Sequence, residues 1–168
     1  AEDLTMLAVT KHISAEEIRR LVTLGIKDLE ENRIQEALKK QEELFALDTK
    51  ISWHFIGSLQ SNKARQAVAN FDLIHSLDRF RLAEELNRQG INQGKKVSVL
   101  IQVNISGETT KQGLAMEEVS DFYGKVKNMA GLSLAGLMTM APYTSDPQGT
   151  RPIFRELRIL FERFKHEF

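Results

Sequence analysis

The sequence contains no cysteine and only one tryptophan, and it carries no excess of either charge. The absence of cysteine excludes disulfide bonds and every metal or redox site that is built on thiolates. Because 23 basic side chains balance 23 acidic ones, no positive excess draws the chain to nucleic acid or to an anionic membrane surface. We therefore expect neither nucleic acid nor a membrane among its partners.

Long hydrophobic runs are absent as well. No stretch approaches the roughly 18 apolar residues of a membrane span, and the first residues, AEDLTMLAVT, lack the basic start and apolar stretch of a secretory signal. The histidines show no HExxH-type spacing, so the sequence predicts no metal site. The composition, 42% hydrophobic over 168 residues, is that of one globular domain over residues 1–168, which we expect in the cytoplasm.

What the sequence does contain is a regular alternation of short apolar runs with longer segments of helical period. The six strand-like runs begin near Leu4, Ile26, Ile51, Asp72, Lys96 and Leu134. Each is followed by a segment that spaces its apolar residues three or four apart, and Ser14, Gly25 and Gly90 suit helix caps. The strict alternation predicts a parallel sheet with right-handed crossovers, covered by helices.

Two architectures fit such a sheet: the open doubly wound fold and the closed TIM-type (β/α) barrel. No Gly-x-Gly-x-x-Gly motif follows the first run, which weakens the dinucleotide-binding version of the open sheet. Six strands alone do not decide between the two. A closed barrel needs eight strands and about 250 residues, so a barrel made by this chain would lack its last two strand–helix units.

Both architectures place ligands at the carboxyl ends of the strands. The residues that end the six runs are Lys11, Asn32, Gly57, Ser76, Asn104 and Met138. Lys11 closes an apolar run and, by the period of two, shares a face with Leu7 and Val9. Desolvation by such neighbours favours the neutral amine that attacks carbonyls and forms Schiff bases. The alternative is an ordinary rim lysine whose ammonium lies in water.

Two further segments allow a functional and an ordinary interpretation. Residues 53–65 run from a strand into a helix that begins at Ser61. The free backbone N–H groups at this helix N-terminus could bind an anion, or the segment could be an ordinary helix cap. His54 in this segment is more typical of a hydrogen-bonded core histidine than of a catalytic base. The polar loop 105–113 could be a lid over a site or a solvated connection.

Six segments in this order resemble the pyridoxal 5′-phosphate homeostasis protein family, and together they cover nearly the whole chain. They are LAVTK (7–11), ENRIQE (31–36), WHFIGSLQSNK (53–63), HSLD (75–78), IQVNISGETTKQG (101–113) and GLMTMAP (136–142). The third is the most specific, because eleven residues of defined type in a strand-to-helix turn rarely coincide by chance.

The resemblance implies a fold-type III barrel similar to the N-terminal domain of alanine racemase. It also implies one pyridoxal 5′-phosphate held as a Schiff base on Lys11, with Asn32, His54, Ser76 and Met138 lining the pocket. By the same resemblance the protein is a carrier without catalytic activity, which buffers the cofactor and delivers it to pyridoxal-phosphate-dependent apo-enzymes. We expect a monomer or a weak dimer.

The chain departs from the family pattern in three places. Glu30 stands where the family usually has glycine, and strand parity puts its carboxylate on the face of Asn32. The chain also opens almost directly on its first strand. The terminal segment that supplies most of the phosphate-binding backbone does not follow Phe168, so we expect a barrel incomplete at its C-terminus, with a gap where two units belong.

Two enzyme functions remain as alternatives. A racemase or decarboxylase of the alanine racemase type needs a second acid/base opposite Lys11, which the racemases supply as a tyrosine from an added domain; here only Tyr143 follows a predicted strand. A cofactor-free Schiff-base aldolase would instead use Lys11 to attack a sugar or keto-acid carbonyl directly. The carrier function is preferred to both.

Overall fold

The structure is a computed structural model that describes residues 4–47, 49–108 and 110–166. Its strands are β1 (Ala8–Val9), β2 (Asp28–Glu31), β3 (Ser52–Phe55), β4 (Leu73–Leu77), β5 (Val97–Gln102) and β6 (Leu132–Met138). Its α-helices are α1 (Ala15–Thr23), α2 (Ile34–Leu44), α3 (Ala64–Asn70), α4 (Phe80–Asn92), α5 (Val119–Val126) and α6 (Arg151–Phe164). The predicted alternation is confirmed.

The six strands form one parallel sheet in the order β1-β2-β3-β4-β5-β6. A doubly wound sheet reverses its strand order at a switch point, whereas a TIM-type barrel adds each strand beside the previous one. The sequential order therefore identifies the barrel architecture and excludes the open alternative. Since right-handed crossovers then put every helix on one face, the other face is the barrel interior, and β1 and β6 are the edges of the described sheet.

Side chains alternate between these two faces, as β3 shows. Trp53 and Phe55 are buried towards the helices, where the Phe55 ring meets Phe71 edge-on at 5.1 Å between centroids. His54 lies between them in sequence and points to the interior, where it contacts His75. The segment is thus divided between the two faces, and the interior is polar at this level.

The ends of two helices test the expected caps. Ser14 begins α1 with a capping box: its Oγ accepts from the Glu17 N–H, and Glu17 Oε2 accepts from the Ser14 N–H at 2.7 Å. Gly25 follows α1 with φ of +89°, a conformation that favours glycine. Gly90 is not a cap, contrary to expectation, since it lies inside α4. A Cβ there would stand 2.5 Å from Gly131 O, so glycine allows α4 to approach the start of β6.

None of the helices in the described ranges is long and apolar enough to cross a bilayer. Among those same residues, no three histidine or acidic side chains converge in a way that could hold a metal ion.

Candidate functional site

Lys11 lies at the carboxyl end of β1, in a tight turn. The strand is shorter than predicted: it begins at Ala8 rather than near Leu4, and its pairing ends with the Thr10 N–H donating to Glu30 O at 2.9 Å. The chain then turns, and the Ile13 N–H donates back to Thr10 O at 3.1 Å, so Lys11 and His12 are the central residues of the turn. Lys11 is half-buried, and within the described ranges its amine has no hydrogen bond or ion pair. The amine is therefore available for a ligand.

Behind this turn, on the helix side of the sheet, lies a buried ion pair that the sequence analysis did not identify. Lys40 Nζ of α2 is 2.7 Å from Oε1 of Glu31, and the two side chains are 13% and 0% exposed. The same ammonium donates to Thr10 O at 2.6 Å, and the Thr10 hydroxyl donates to Glu31 Oε1 at 2.7 Å. One sequence signal existed: Lys40 lies three residues after Ala37 and four before Leu44, on the buried stripe of α2.

The barrel interior holds a hydrogen-bonded pair of histidines. His54 Nδ1 and His75 Nε2 are 2.9 Å apart, so one ring donates and the other accepts. The remaining nitrogen of His54 is 3.1 Å from Ser52 Oγ and 3.5 Å from Asp28 Oδ1. On the far side, His75 Nδ1 is 4.0 Å from Glu30 Oε1. Glu30 thus faces the interior, as strand parity predicts.

Burial governs the protonation of this cluster. Desolvation lowers the pKa of His54, against the opposing attraction of Asp28. Desolvation and the neighbouring His54 lower the pKa of His75 from 6.5 to about 4. Burial raises the pKa of Glu30. Both shifts favour the neutral rings at pH 7, and their mutual hydrogen bond needs one neutral ring as the acceptor.

The pair makes the stability of the fold dependent on pH. Because the pKa of His75 is lower in the folded chain than its ordinary 6.5, the unfolded chain takes up protons first as the pH falls. We therefore expect the free energy of unfolding to be constant in this respect above pH 6.5 and to fall as the pH is lowered from 6.5 to about 4. After allowance for solvent screening, the expected decrease is about 2 kcal/mol. Protonation of Glu30 acts in the opposite direction, since it relieves a buried charge. Urea unfolding at a series of pH values measures the slope.

The control for this pH dependence is His75→Gln, which keeps an amide in place of the ring but does not titrate. We expect the variant to lose less stability than the parent between neutral pH and pH 4, with the residual slope due to His54 and the carboxylates. Identical slopes in the two proteins would contradict the assignment to His75.

Asn32 is the first residue after β2 and lines a cleft of about 260 Å³ between the β2–α2 and β3–α3 connections. Leu59, Gln60 and Lys63 line its other side. The connection after β3 approaches closely, because a Cβ on Gly57 would stand 2.2 Å from Asn32 O. The cleft lies at the carboxyl ends of β2 and β3, but Lys11, His54, Ser76 and Met138 do not line it.

A second cavity, of about 240 Å³, lies under the loop that follows β5. Its lining includes Ile56, Gln102, Lys111 and Met140. Gln102 is 5% exposed; its Nε2 donates to Gln112 O at 3.3 Å, while its Oε1 has no partner in the part of the chain that the structure describes. A buried acceptor of this kind is suited to a ligand or water that donates a hydrogen bond. Gln102 was not among the predicted site residues.

The loop over this cavity is folded back on the strand end. Asn104 Oδ1 accepts from the Gly107 N–H at 3.1 Å, and the Asn104 N–H donates to Leu114 O at 2.9 Å. Lys111 Nζ is 2.8 Å from Glu108 Oε1. These contacts hold the described part of the loop against the end of β5.

The last two predicted site residues lie in or at the end of strands. Ser76 precedes the final residue of β4, is 1% exposed, and its Oγ has no hydrogen-bond partner among the described residues. Met138 ends β6 beside Gln102, and its carbonyl accepts from the Val103 N–H at 2.8 Å. Neither residue lines the two cavities, and their roles stay predictions.

Comparison with known families gives a match over nearly the whole chain. The model of the alanine racemase N-terminal domain family matches residues 4–168. The chain is 39% identical over 163 residues to the pyridoxal phosphate homeostasis protein of Aquifex aeolicus. The alignment covers 97% of this chain and 71% of that protein.

Solved structures show the same relationship. The structure of PipY from Synechococcus elongatus without pyridoxal phosphate superposes with a TM-score of 0.92 at 32% identity, covering 99% of this chain and 77% of that one. The structure of PipY with pyridoxal phosphate bound gives 0.88 at 32% identity, with coverage of 99% and 78%. Alanine racemase of Clostridium difficile, at 14% identity, gives 0.76 over 97% of this chain and 44% of that one, and shares the fold.

Proposed function

Because the chain belongs to the family of pyridoxal phosphate homeostasis proteins, we propose that it binds pyridoxal 5′-phosphate as a Schiff base on Lys11 and serves the homeostasis of that cofactor. The observation that carries the proposal is the lysine amine at the carboxyl end of β1, which has no partner among the described residues. Strand ends on this face are where barrels of this kind bind their ligands. PipY, a relative with the same fold, has a structure with pyridoxal phosphate bound.

The residues present fit this cofactor. Its aldehyde supplies the electrophile, and Lys11 supplies the amine. Asn32 directly follows β2 and Ile56 directly follows β3, just as the Lys11 turn follows β1. Asn32 lines the first cavity of this face, and Ile56 lines the second. The buried Gln102 Oε1 offers an acceptor to a ligand donor. We propose that Asn32, His54, Ser76 and Met138 also belong to the pocket.

We propose a carrier rather than an enzyme. Two-base racemisation needs a second acid/base close to the lysine, and neither tyrosine of the chain suits that role. Tyr143 is fully exposed, and Tyr123 is buried in α5 with its ring 5.0 Å from Phe164. Incubating the purified protein with L-alanine, and measuring D-alanine over time, tests the distinction. Steady turnover would establish the enzyme function instead.

The wider role follows as part of the same proposal. We propose that the protein works in the cytoplasm as a monomer or weak dimer, and that pyridoxal-phosphate-dependent apo-enzymes receive the cofactor from it. The relatives that carry the homeostasis name support this role. Transfer to a purified apo-enzyme, followed as recovered enzyme activity, is the direct test.

The experiment that tests cofactor binding is an absorbance titration with pyridoxal 5′-phosphate, followed by borohydride reduction and peptide mapping. We expect a near-ultraviolet to violet band that disappears on reduction, with the label on the peptide containing Lys11. A cofactor-free aldolase would be colourless as purified, and with a sugar or keto-acid substrate alone, in the absence of pyridoxal 5′-phosphate, it would form a borohydride-reducible adduct on Lys11.

Glu30 gives a further prediction. Its carboxylate faces the barrel interior, at a position where the family usually has glycine. The cofactor is anionic, so removing the charge should strengthen binding. We expect Glu30→Gly and Glu30→Gln to lower the dissociation constant about threefold to tenfold, the scale of one screened charge. Equilibrium titration of the three proteins gives the comparison.

The pH dependence of that gain identifies its cause. Burial raises the pKa of Glu30, so the parent loses its charge in mild acid while the variants have none to lose. The gain should therefore be largest at alkaline pH and shrink as the pH falls. A gain that is shown by Glu30→Gly alone would indicate space or backbone freedom rather than charge.

A further inference from the structure

We infer that the buried Glu31–Lys40 ion pair is a positioning device for Lys11, which fixes the turn that presents the reactive amine. The inference rests on the proposed function, since it assigns two positioning residues to the same site. Neither side chain faces the barrel interior: both lie behind the sheet, between β2 and α2. Their effect on a ligand must therefore pass through the main chain.

The contact that transmits it is the carbonyl of Thr10. This oxygen accepts from Lys40 Nζ at 2.6 Å and from the Ile13 N–H at 3.1 Å. The second bond closes the turn whose central residues are Lys11 and His12. Lys40 consequently holds the peptide group that joins Thr10 to Lys11, and this peptide sets the direction of the Lys11 side chain.

Thr10 is fixed from the other directions as well. Its N–H donates to Glu30 O at 2.9 Å, and its hydroxyl donates to Glu31 Oε1 at 2.7 Å. Glu31 thus contacts both Lys40 and Thr10 and completes a closed ring of three groups. Downstream, the capping box of Ser14 holds the start of α1. The turn is anchored at both ends, and Lys40 adds an anchor from a separate helix.

Stability alone does not account for this pair. Desolvating two charges is costly, and replacing a buried ion pair with apolar residues is often neutral or stabilising. An apolar pair would fill the space between β2 and α2 but would make no bond to Thr10 O. What the charged pair adds is therefore the orientation of the turn.

The test compares the parent with Glu31→Leu/Lys40→Met, which removes both charges together and leaves none unpaired. We expect the double variant to fold with a urea midpoint near that of the parent. Its Ile13 amide should exchange with solvent at least about tenfold faster, because the turn opens locally. Labelling of Lys11 by pyridoxal 5′-phosphate should be at least about tenfold slower, because the amine is no longer directed.

Three further variants complete the design. Lys39→Met, on the exposed side of α2, should behave as the parent, and Lys40→Arg, which keeps a cationic donor, should retain most of the labelling rate. If the apolar pair does not fold, Glu31→Gln/Lys40→Gln replaces it. The side chain of glutamine at position 40 is one bond shorter than that of lysine and should not reach Thr10 O. This variant should therefore show the same faster exchange at Ile13 and the same slower labelling of Lys11.

A folded double variant with parental exchange and labelling overturns the inference. A parent that is not labelled at Lys11 refutes the proposed function, while exchange at Ile13 still tests the positioning of the turn by itself.

Discussion

Lys11→Ala should abolish the absorbance band and the covalent labelling by pyridoxal 5′-phosphate while leaving the fold intact. We propose that the Lys11 amine forms the covalent bond, so we expect complete loss of the adduct rather than a weakened one. Lys11 lies in a turn and is half-buried, and its side chain belongs to no part of the hydrophobic core. Removing it should change the free energy of unfolding by less than about 1 kcal/mol.

Lys63→Ala provides the matched control. Lys63 is also half-buried and lines the Asn32 cleft on the same face of the barrel, so it tests whether any lysine on this face is labelled. We expect the control to keep the band and the label at Lys11. A Lys11→Ala protein that still forms the reducible band would show that the cofactor is bound through another lysine.

The architecture could be predicted from the sequence because it depends on periodicity. Apolar runs and helical segments alternate regularly, and every described strand and α-helix overlaps the segment that predicted it, although β6 begins at Leu132 rather than Leu134 and α4 continues past Gly90 to Asn92. Sequence alone left the barrel and the doubly wound sheet open, because strand order depends on contacts between elements. The linear order of the six strands decides the question.

The site could be predicted only in part. Lys11 stood out as a charged residue at the end of an apolar run, and the parity of β2 placed Glu30 in the interior. The partner of His54 could not be assigned, since nothing in the sequence states which residue of β4 faces it. Lys40 reaches Thr10 across thirty residues of chain, and local patterns carry no information about such a contact.

The close approach of two connections gives the last prediction, Gly57→Ala. A Cβ at this position would lie 2.2 Å from Asn32 O and 2.9 Å from Asn32 C. The obstacle is backbone, so no side chain can rotate away, and the β2–α2 and β3–α3 connections must separate. We expect a loss of at least about 2 kcal/mol in the free energy of unfolding. Weaker cofactor binding should accompany it, because Asn32 moves. Urea unfolding and the absorbance titration measure the two effects.

Gly124→Ala is the matched control, because the chemical change is the same and the surroundings are not. Gly124 is exposed in the middle of α5, and nothing lies within 4 Å of the Cβ it would gain. Alanine should therefore stabilise the helix by about 0.5–1 kcal/mol without affecting cofactor binding. If Gly57→Ala were as stable as the parent, the connections would not be in contact at Gly57. If it lost stability while binding the cofactor as the parent does, Asn32 would not belong to the pocket.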